Sequence, residues 1–298
     1  MKDLSIIILS FNTADVTEAC LKSVYSNLSL SKLRCEVIVV ENASKDNSAE
    51  MLTRFKKNLP VDSPELILIM NEENVGYPHG NNQGISLAQG KYILLLNSDT
   101  LLSDVNFEEL IQYLDFHEDV GVLTVRVELP NGSIDPASHR GFPTPWNSFT
   151  YFAKLEKIFG SVPLVNRVFG GYHLTYMDLN KEHEIDLPVG AFYLTRSSIL
   201  KKLGGFDDKN FFMYGEDVDL TYRIKKMGYR IVYYPKYKIL HLKHTSGIKT
   251  NNTEVRTKTK QYFYDAMEKF YRKHYAKEYP FFINHLMYFF IRLKKSRV

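Results

Sequence analysis

The sequence predicts an α/β fold, with a mostly parallel, doubly wound sheet followed by a C-terminal helical extension. Two features of the N-terminal half predict the sheet: short aliphatic runs recur there, and amphipathic stretches of helical length separate them. Such runs are typical of strands covered on both faces, and strands that alternate with helices pair in parallel. The extension is predicted by a change in composition, because the chain becomes strongly basic over residues 248–298.

The first half supplies the predicted strands in order. Four aliphatic runs are predicted as strands: Leu4–Leu9, Glu36–Val40, Leu66–Met70 and Tyr92–Leu96. The stretches between them predict helices over Ala14–Leu28, Ser48–Lys57 and Asn81–Gln89, the last one capped by Gly90. Ligands of such sheets bind at the carboxyl ends of the strands. Three polar tripeptides stand at those ends: Ser10-Phe11-Asn12, Glu41-Asn42-Ala43 and Asn97-Ser98-Asp99.

The second half is less regular after the apolar run Val120–Val127. An aromatic, proline-bearing segment, Phe142 to Tyr176, has no clean period and is predicted to be an insertion over the site. Gly247–Thr253 is predicted to be loose chain. The remaining patterns predict a strand at Leu187–Thr195, a helix at Ser197–Leu203 stopped by Gly204-Gly205, a helix at Glu216–Met227, strands at Arg230–Tyr234 and Ile239–Leu242, and a surface helix at Glu254–Tyr275.

Cysteine content and the first residues indicate a cytoplasmic protein. The two cysteines, Cys20 and Cys35, exclude a disulfide scaffold and a multi-thiolate zinc site. Met1-Lys2-Asp3 leads directly into strand-like sequence, so we expect no secretory leader. The longest apolar stretch, Phe281 to Leu293, is shorter than the ~20 residues that a spanning helix needs, and no transmembrane span is predicted.

The C-terminal tail carries the positive charge of the chain. The total is 38 − 34 = +4, but residues 249–298 contain 12 Lys and Arg against 4 Asp and Glu, a balance of +8. Such asymmetry suggests an anionic partner, and a membrane is favoured over nucleic acid because no nucleic-acid-binding motif accompanies the charge. The aromatic run Phe281 to Leu293 then predicts peripheral attachment to the inner face of the plasma membrane. A helix packed on the body of the protein explains the same run equally well.

The triplet Asn97-Ser98-Asp99 is a candidate metal site because it ends the most apolar strand. A hard divalent cation that bridges phosphates needs such a carboxylate oxygen. His241 follows an apolar pair at a strand end, and together with Asp99 it would complete a His and carboxylate site. An Asx turn at Asp99 explains the triplet equally well, and a lone histidine such as His241 is more often structural than a ligand.

The segment 215–219 contains the candidate general base. On a helix that starts here, Asp217 heads the core-facing stripe that continues at Leu220. A partly buried carboxylate with a raised pKa suits a general base, so function is favoured over structure for Asp217. Asp219 lies four residues before Arg223 and is predicted to form an exposed ion pair with it.

The loop Asn74–Gly84 is a candidate phosphate site. Its glycines permit close approach of the backbone to a ligand, and the N-terminus of the following helix suits an anion. The loop is neither G-x-G-x-x-G nor a Walker loop, which argues against a dinucleotide oxidoreductase and against a nucleotide hydrolase.

Taken together, these segments resemble glycosyltransferase family two, of the Rossmann-like A-type glycosyltransferase fold, and within it the rhamnosyltransferase-like members. They cover most of residues 4–247 in the family's order. The matching segments are LSIIILSFN, VIVVENASKDNS, NEENVGYPHGNNQGI, YILLLNSDT, LPVGAFYLTRSSILKKLGGFDDKNFFMYGEDVDLTYR and HLKHTSG.

The resemblance implies a role for each candidate residue. It places Asp217 as catalytic base and Asp99 and His241 at a bound Mg²⁺ or Mn²⁺. It also implies three departures: Asn97 replaces the first acid of the metal motif, Glu41 stands where Asp is common, and Pro78 stands where a small residue is frequent. The residues implied to lie around the nucleotide are Ser10, Asn12, Glu41, Asn74, Gly76 and Asn97.

The same resemblance implies a catalytic domain over residues 1–247 and a basic, apolar helical tail over 248–298. Residues 1–127 would bind the nucleotide and 128–247 the acceptor. The implied activity is an inverting, metal-dependent transfer of a sugar such as rhamnose, from a dTDP- or UDP-sugar to a saccharide or lipid-linked acceptor, in cell-surface polysaccharide synthesis. No nucleic acid is expected as a partner. The alternatives are a non-catalytic nucleotide-sugar-binding protein with a decayed site and a Rossmann-type oxidoreductase.

Overall fold

The computed structural model describes residues 2–243 and 253–297. A nine-stranded sheet lies at its centre. The strands are β1 (Lys2–Ser10), β2 (Cys35–Glu41), β3 (Glu65–Met70), β4 (Gly90–Asn97), β5 (Thr100–Ser103), β6 (Val120–Glu128), β7 (His183–Ile185), β8 (Phe192–Arg196) and β9 (Arg230–His241). The α-helices are α1 (Ala14–Leu28), α2 (Ser48–Lys57), α3 (Tyr77–Leu87), α4 (Phe107–Phe116), α5 (Pro145–Phe152), α6 (Leu155–Phe159), α7 (Val165–Phe169), α8 (Ser197–Leu203), α9 (Glu216–Lys226), α10 (Thr253–His274) and α11 (Phe281–Lys295).

The sheet has a parallel half and a mixed half. Its strand order is β3-β2-β1-β4-β8-β6-β9-β5, with β7 paired to β9. The strands β3, β2, β1 and β4 pair in parallel, as the alternation of strands and helices predicts. Strand β8 joins β4 and β6 in antiparallel orientation, whereas β6 and β9 are parallel. The predicted α/β class and the parallel first half are therefore confirmed.

Both faces of the sheet are buried, which is why its strands are continuously aliphatic. Successive residues of β1 enter opposite cores: Ile6 and Ile8 belong to one cluster, together with Leu21 of α1. Ile7 belongs to the other cluster, together with Ile85 of α3. All three isoleucines of β1 have no solvent exposure. Alternating side chains of a strand point to opposite faces, so a strand between two helical layers has no polar face.

The start of α3 and the role of Gly90 differ from the prediction. The helix begins at Tyr77 rather than Asn81, because Gly76 turns the chain at φ +85° and Pro78 is tolerated in a first helical turn. It ends at Leu87, and Gly90 is the first residue of β4 rather than a helix cap. A side chain at Gly90 would place its Cβ 2.5 Å from the Ser5 backbone nitrogen. Close strand approach therefore explains this glycine.

The structure also tests the predicted bounds of the elements in the second half of the chain. The two strands predicted at 230–234 and 239–242 form one strand, β9, whose register against β6 shifts between Val125 and Arg126. Only the end of the strand predicted at 187–195 is strand β8, since Leu187 forms an isolated bridge with Arg140. The stop of α8 at Gly204, which lies in the left-handed region at φ +72°, is confirmed. The predicted loose chain at 247–253 and residues 244–247 of the HLKHTSG segment lie outside the described residues, apart from Thr253, which begins α10.

Helix α10 is attached to α9 through a buried carboxylate, Asp219. The prediction of an exposed position for Asp219 is wrong, because its side chain has no solvent exposure. Arg223 pairs with it as predicted, at 2.8 Å. Lys273 and His274, at the end of α10, approach the other carboxylate oxygen at 2.6 and 2.7 Å. Burial alone would raise the pKa of Asp219, but the bond from His274 and the charges of Arg223 and Lys273 lower it to about 2.

Helix α11 packs on α10 along one face. The Asn284 side chain accepts a hydrogen bond from the Tyr271 hydroxyl and donates to the Ala276 and Tyr279 carbonyls. Ile291 is buried at 5% exposure. Among the described helices, none is both long and apolar enough to cross a bilayer.

We expect Gly84→Ala to lower the free energy of unfolding by about 1 kcal/mol. The new Cβ would lie 2.6 Å from Cγ2 of the fully buried Ile7, and overpacking a core costs about 1–3 kcal/mol. Alanine regains about 1 kcal/mol through its higher helix propensity. Urea titration of the variant measures the net loss. Ser86→Ala, an exposed site on the same helix, is the matched control and should be neutral or stabilising; a stabilised Gly84→Ala would show that α3 does not lie flush on β1.

Asp219→Asn should lower the free energy of unfolding by about 3 kcal/mol, because it leaves the partly buried cations Arg223 and Lys273 without a counter-charge at a fully buried position. The control is Asp265→Asn, which removes an ion pair with Lys295 at a carboxylate that is 44% exposed. That change should cost under about 1 kcal/mol. Equal losses in the two variants, measured by chemical denaturation, would contradict the role given to Asp219.

Candidate active site

The polar tripeptides meet at one edge of the sheet. Ser10, Glu41 and Asn97 are the last residues of β1, β2 and β4. Ser10 is in register with Glu41, and Leu9 is in register with Asn97. Parallel strands that end in register bring their final residues together, as the sequence predicts.

Three of the residues predicted to surround a nucleotide hold the loops at this edge. The buried Ser10 hydroxyl shares a hydrogen bond with the Thr17 hydroxyl. Glu41 is 3% exposed and accepts hydrogen bonds from the backbone N–H groups of residues 43 and 44. The exposed Asn12 accepts the backbone N–H of Lys45. The contacts of Glu41 and Asn12 shape the loop between β2 and α2, whereas that of Ser10 joins the end of β1 to α1.

Asn74 and Gly76 fix the loop before α3. The Asn74 side-chain oxygen accepts hydrogen bonds from Asn42 and from the Gly76 backbone. A Cβ at Gly76 would lie 2.6 Å from the Phe212 carbonyl oxygen, and the φ of +85° favours glycine in any case. The loop therefore lies directly against the segment that leads into α9.

The other predicted residues line one cavity of about 560 Å³. Asn97 and Asp99 come from the end of β4, Asp217 from α9 and His241 from the end of β9. Ser10, Asn12, Glu41, Asn74 and Gly76 are not among its lining residues and lie at the neighbouring loops and strand ends. Of the nine predicted site residues, four therefore line the cavity and five lie beside it.

His241 lies between two carboxylates. Its Nε2 is 3.2 Å from Asp99 Oδ1, and its Nδ1 is 2.8 Å from Asp135 Oδ2. Strand pairing produces the first contact, because Thr100 is in register with His241 and the Leu242 N–H donates to the Asp99 carbonyl. Burial alone would lower the pKa of His241, but hydrogen bonds to Asp135 and Asp99 raise it to about 9.

Asp135 supports this arrangement and has no exposed surface. Its carboxylate also accepts hydrogen bonds from the Lys243 ammonium at 2.6 Å and from the Ala137 backbone. Burial would raise the pKa of Asp135, but the hydrogen bonds from His241 and Lys243 hold that pKa well below its usual range. Sequence reasoning missed Asp135, because nothing in the Pro130–Ser133 turn before it indicates contact with a histidine 106 positions later.

The pair Asp99 and His241 fits a divalent metal in its donor chemistry. A carboxylate oxygen and an imidazole nitrogen approach each other at the cavity wall, and the other imidazole nitrogen contacts a carboxylate, as is common behind metal-bound histidines. No group of three or more His, Cys, Asp and Glu residues that could hold an ion occurs within residues 2–243 and 253–297. A metal at this pair would therefore need further oxygen ligands from a bound diphosphate.

Asp217 faces the cavity beside a buried arginine. Its carboxylate is 16% exposed and lies 3.4 Å from the Arg140 guanidinium. Burial raises the pKa of Asp217, although the Arg140 charge acts in the opposite direction. Burial and the neighbouring Asp217 charge raise the pKa of Glu216 to about 8. The half-buried position predicted for Asp217 is confirmed, whereas Arg140 carries no sequence signal and was missed.

The segment predicted to cover the site does contribute to its wall. Tyr151, Phe152 and Tyr172 of this segment line the cavity. Phe263 and Phe270, both on α10, also line it. The cavity therefore combines hydrogen-bonding and ionisable groups with aromatic rings, a composition typical of small-molecule sites.

Curated relatives resemble this chain at low identity. The poly-beta-1,6-N-acetyl-D-glucosamine synthase of Staphylococcus epidermidis is 24% identical over 241 residues, covering 79% of this chain and 49% of the relative. The enzyme of the same name from Staphylococcus aureus strain MSSA476 is 22% identical over 240 residues, covering 79% and 48%. This chain thus spans about half the length of these relatives.

Solved structures share the fold. The mannosyltransferase PcManGT from Pyrobaculum calidifontis, in complex with GDP-Man and Mn²⁺, matches with a TM-score of 0.56 at 17% identity, over 91% of this chain and 66% of that one. GalNAc-T7 with UDP, GalNAc and Mn²⁺ matches with a TM-score of 0.60 at 12% identity, over 91% and 50%. These likenesses show the A-type glycosyltransferase fold.

Two family models match the sequence itself. The model for glycosyl transferase family 2 matches residues 5–178, which contain the strand ends β1, β2 and β4. The model for glycosyl transferase family group 2 matches residues 92–293, which contain Asp99, Asp217 and His241. Each match covers more than half of the chain, and the chain therefore belongs to glycosyl transferase family 2.

Proposed function

We propose that this protein is an inverting glycosyltransferase that moves a sugar from a nucleoside diphosphate to a hydroxyl group of a saccharide or lipid-linked acceptor. The single observation that carries the proposal is the shared cavity, in which Asp217 and the Asp99–His241 pair lie on elements from different parts of the chain. An inverting transfer needs a base for the acceptor and a stabilised diphosphate for the donor.

Asp217 is proposed as the base. The acceptor oxygen attacks the anomeric carbon opposite the leaving group, a new C–O bond forms, and the bond to the diphosphate oxygen breaks. Asp217 takes the acceptor's hydroxyl proton, and the nucleoside diphosphate leaves. The Arg140 guanidinium at 3.4 Å keeps the base ionised and oriented, while partial burial keeps the carboxylate basic enough to accept the proton.

The donor diphosphate is proposed to lie at the ends of β1, β2 and β4. His241 is held in place by Asp135, so that its Nε2 atom faces the site of the phosphates beside Asp99. When bound by Asp99 and His241, Mg²⁺ or Mn²⁺ would neutralise charge on the diphosphate oxygens. The Mn²⁺ in the PcManGT and GalNAc-T7 structures supports this assignment.

The donor is proposed to be a dTDP- or UDP-linked hexose or deoxyhexose such as rhamnose, and the product a cell-surface polysaccharide. The sugar rests on the segment resemblance alone. The names of the staphylococcal relatives support the polysaccharide product. Residues 1–127 are proposed as the nucleotide-binding half and 128–247 as the acceptor-binding half, although α10 also contributes to the cavity wall.

Asp217→Asn should lower kcat by about 10²–10⁴ and leave nucleotide affinity and Tm near their wild-type values, because the amide keeps the shape of the side chain but cannot take a proton. Release of nucleoside diphosphate from a panel of nucleotide sugars measures the effect. Asp119→Asn, at an exposed ion pair with Arg230, is the matched control and should keep full activity. Activity of Asp217→Asn equal to that of the control would remove this residue as the base.

The pH profile gives a second readout of the base. Since burial raises the pKa of Asp217, the acidic limb of kcat/KM should lie above the ordinary Asp value of 3.8. Arg140→Met should move this limb to higher pH, because the guanidinium charge favours the ionised carboxylate. A limb that moves to lower pH, or stays in place, would show that Arg140 does not act on Asp217.

Nucleoside diphosphate binding should be at least about tenfold tighter with Mn²⁺ than with EDTA, and Asp99→Asn should abolish the difference. Calorimetry with UDP, dTDP and GDP tests both points without catalysis and compares the bases. Asp62→Asn, at an exposed position, controls for the loss of one negative charge. Metal-independent binding by the wild type would contradict the metal site. Metal-dependent binding without any transfer would instead favour a nucleotide-sugar-binding protein.

A further inference from the structure

We propose that α11 and the insertion helices α5–α7 form one surface that docks in the headgroup region of an anionic lipid bilayer. We call it the docking surface. Its members are large apolar side chains between 37% and 78% exposed: Trp146, Phe149, Tyr151, Phe152, Ile158, Val162, Leu164, Val168, Phe281, Phe282, Leu286, Phe289 and Phe290. The inference goes beyond the proposed reaction, because it concerns the partner that the protein binds rather than the chemical step.

Helix α11 has two apolar faces, and packing on the protein uses only one. The inner face carries Met287, Tyr288 and the buried Ile291, which pack toward α10. The outer face carries Phe282, Leu286, Phe289 and Phe290, which are 46–60% exposed. Spacings of three and four residues place 282, 286, 289 and 290 on one side of a helix. A helix that only packed on the body would have no need of this second, aromatic face.

The insertion helices continue the outer face of α11. The Lys294 ammonium lies 5.4 Å from the centre of the Phe152 ring, so the end of α11 meets the end of α5. Trp146 and Phe149 precede Phe152 on α5 and are 48% and 51% exposed. The Trp146 indole N–H donates to the Val168 carbonyl, which ties α5 to α7. The two exposed segments therefore meet at the end of α11, which supports the single surface proposed here.

The docking surface reaches the cavity. Tyr151 and Phe152 line the cavity and are also 44% and 37% exposed. A flat apolar partner on this surface would lie at the cavity rim, where an acceptor enters. That continuity favours a bilayer over a second copy of this chain. A bilayer would present the lipid-linked acceptor of the proposed function to the cavity, whereas a second copy would only cover the rim.

Charge also favours an anionic bilayer, although less strongly than the sequence alone implies. Of the three cations on α11, Arg292 pairs with Glu268 and Lys295 pairs with Asp265, so two of these positive charges are neutralised. Lys294 lies at the junction with α5, and exposed Lys154, Lys157 and Arg167 add positive charge on the insertion. Apolar contact should therefore dominate the binding, with a smaller contribution from charge.

Flotation with vesicles of phosphatidylcholine and phosphatidylglycerol tests the docking surface on the full chain. The wild type should float, and the triple variant Phe282→Ser, Phe289→Ser, Phe290→Ser should partition about tenfold less. The matched control, Leu30→Ser, Val61→Ser, Phe116→Ser, removes three side chains that are 75–100% exposed elsewhere and should float like the wild type. Equal Tm values of the two variants and the wild type would show that folding is not the cause.

Trp146 reports on the insertion separately, because it is the single tryptophan of the chain. Its fluorescence should shift to shorter wavelength when the anionic vesicles are added, and the α11 triple variant should lose this shift.

A wild type that stays in the soluble fraction, or a triple variant that floats equally well, would overturn the proposal. Flotation without a shift in Trp146 fluorescence would show that α11 and the insertion helices do not bind the bilayer as a single surface. A lipid-free dimer that the triple variant dissociates, without flotation, would identify a second copy as the occupant. Flotation and Trp146 fluorescence do not measure sugar transfer, whereas an assay with a water-soluble acceptor measures transfer without a membrane. The proposed reaction and the proposed docking surface can therefore be disproved independently.

Discussion

The buried carboxylate of Asp219 holds together the parts that surround the cavity. Arg223 on its own helix and Lys273 and His274 on α10 all reach it at 2.6–2.8 Å. Asp219 thereby fixes α10 on α9, the helix that carries Asp217. Helix α10 then supplies aromatic residues to the cavity wall and supports α11. A shift of α10 away from α9 would leave this buried charge without its partners, which costs about 3–5 kcal/mol.

Two carboxylates on the same helical turn thus have opposite electrostatic environments. Asp217 meets one guanidinium at 3.4 Å and a largely apolar wall, so burial dominates and its pKa rises. Asp219 meets three basic side chains, so its pKa falls to about 2 although its side chain has no solvent exposure. Asp217 is therefore suited to exchange a proton, and Asp219 to remain charged. Burial alone does not identify a base, because both carboxylates are largely buried. The number of neighbouring cations distinguishes Asp217, whose pKa is raised, from Asp219, whose pKa is lowered.

The sequence could predict what depends on local periodicity, and it failed where distant segments meet. The parallel half of the sheet, the helix from Glu216 and the half-buried position of Asp217 follow from spacing along the chain. The burial of Asp219 does not, because Lys273 lies 54 positions away, on a helix that periodicity placed at the surface. The contacts of Asp135 and Arg140 were not predicted, for the same reason. Their partners are fixed by strand register and helix docking, which no single segment encodes.

Two kinds of constraint build the cavity, and they differ in how far the members of a family share them. Strand register positions the polar ends of β1, β2 and β4, so any sequence that keeps the aliphatic runs keeps this edge. The opposite wall depends on side-chain contacts among α5, α10 and the segment around Tyr172. Such contacts can change without disturbing the sheet. The edge formed by the strand ends is therefore the part that a family shares through its fold, whereas the aromatic wall can differ from member to member.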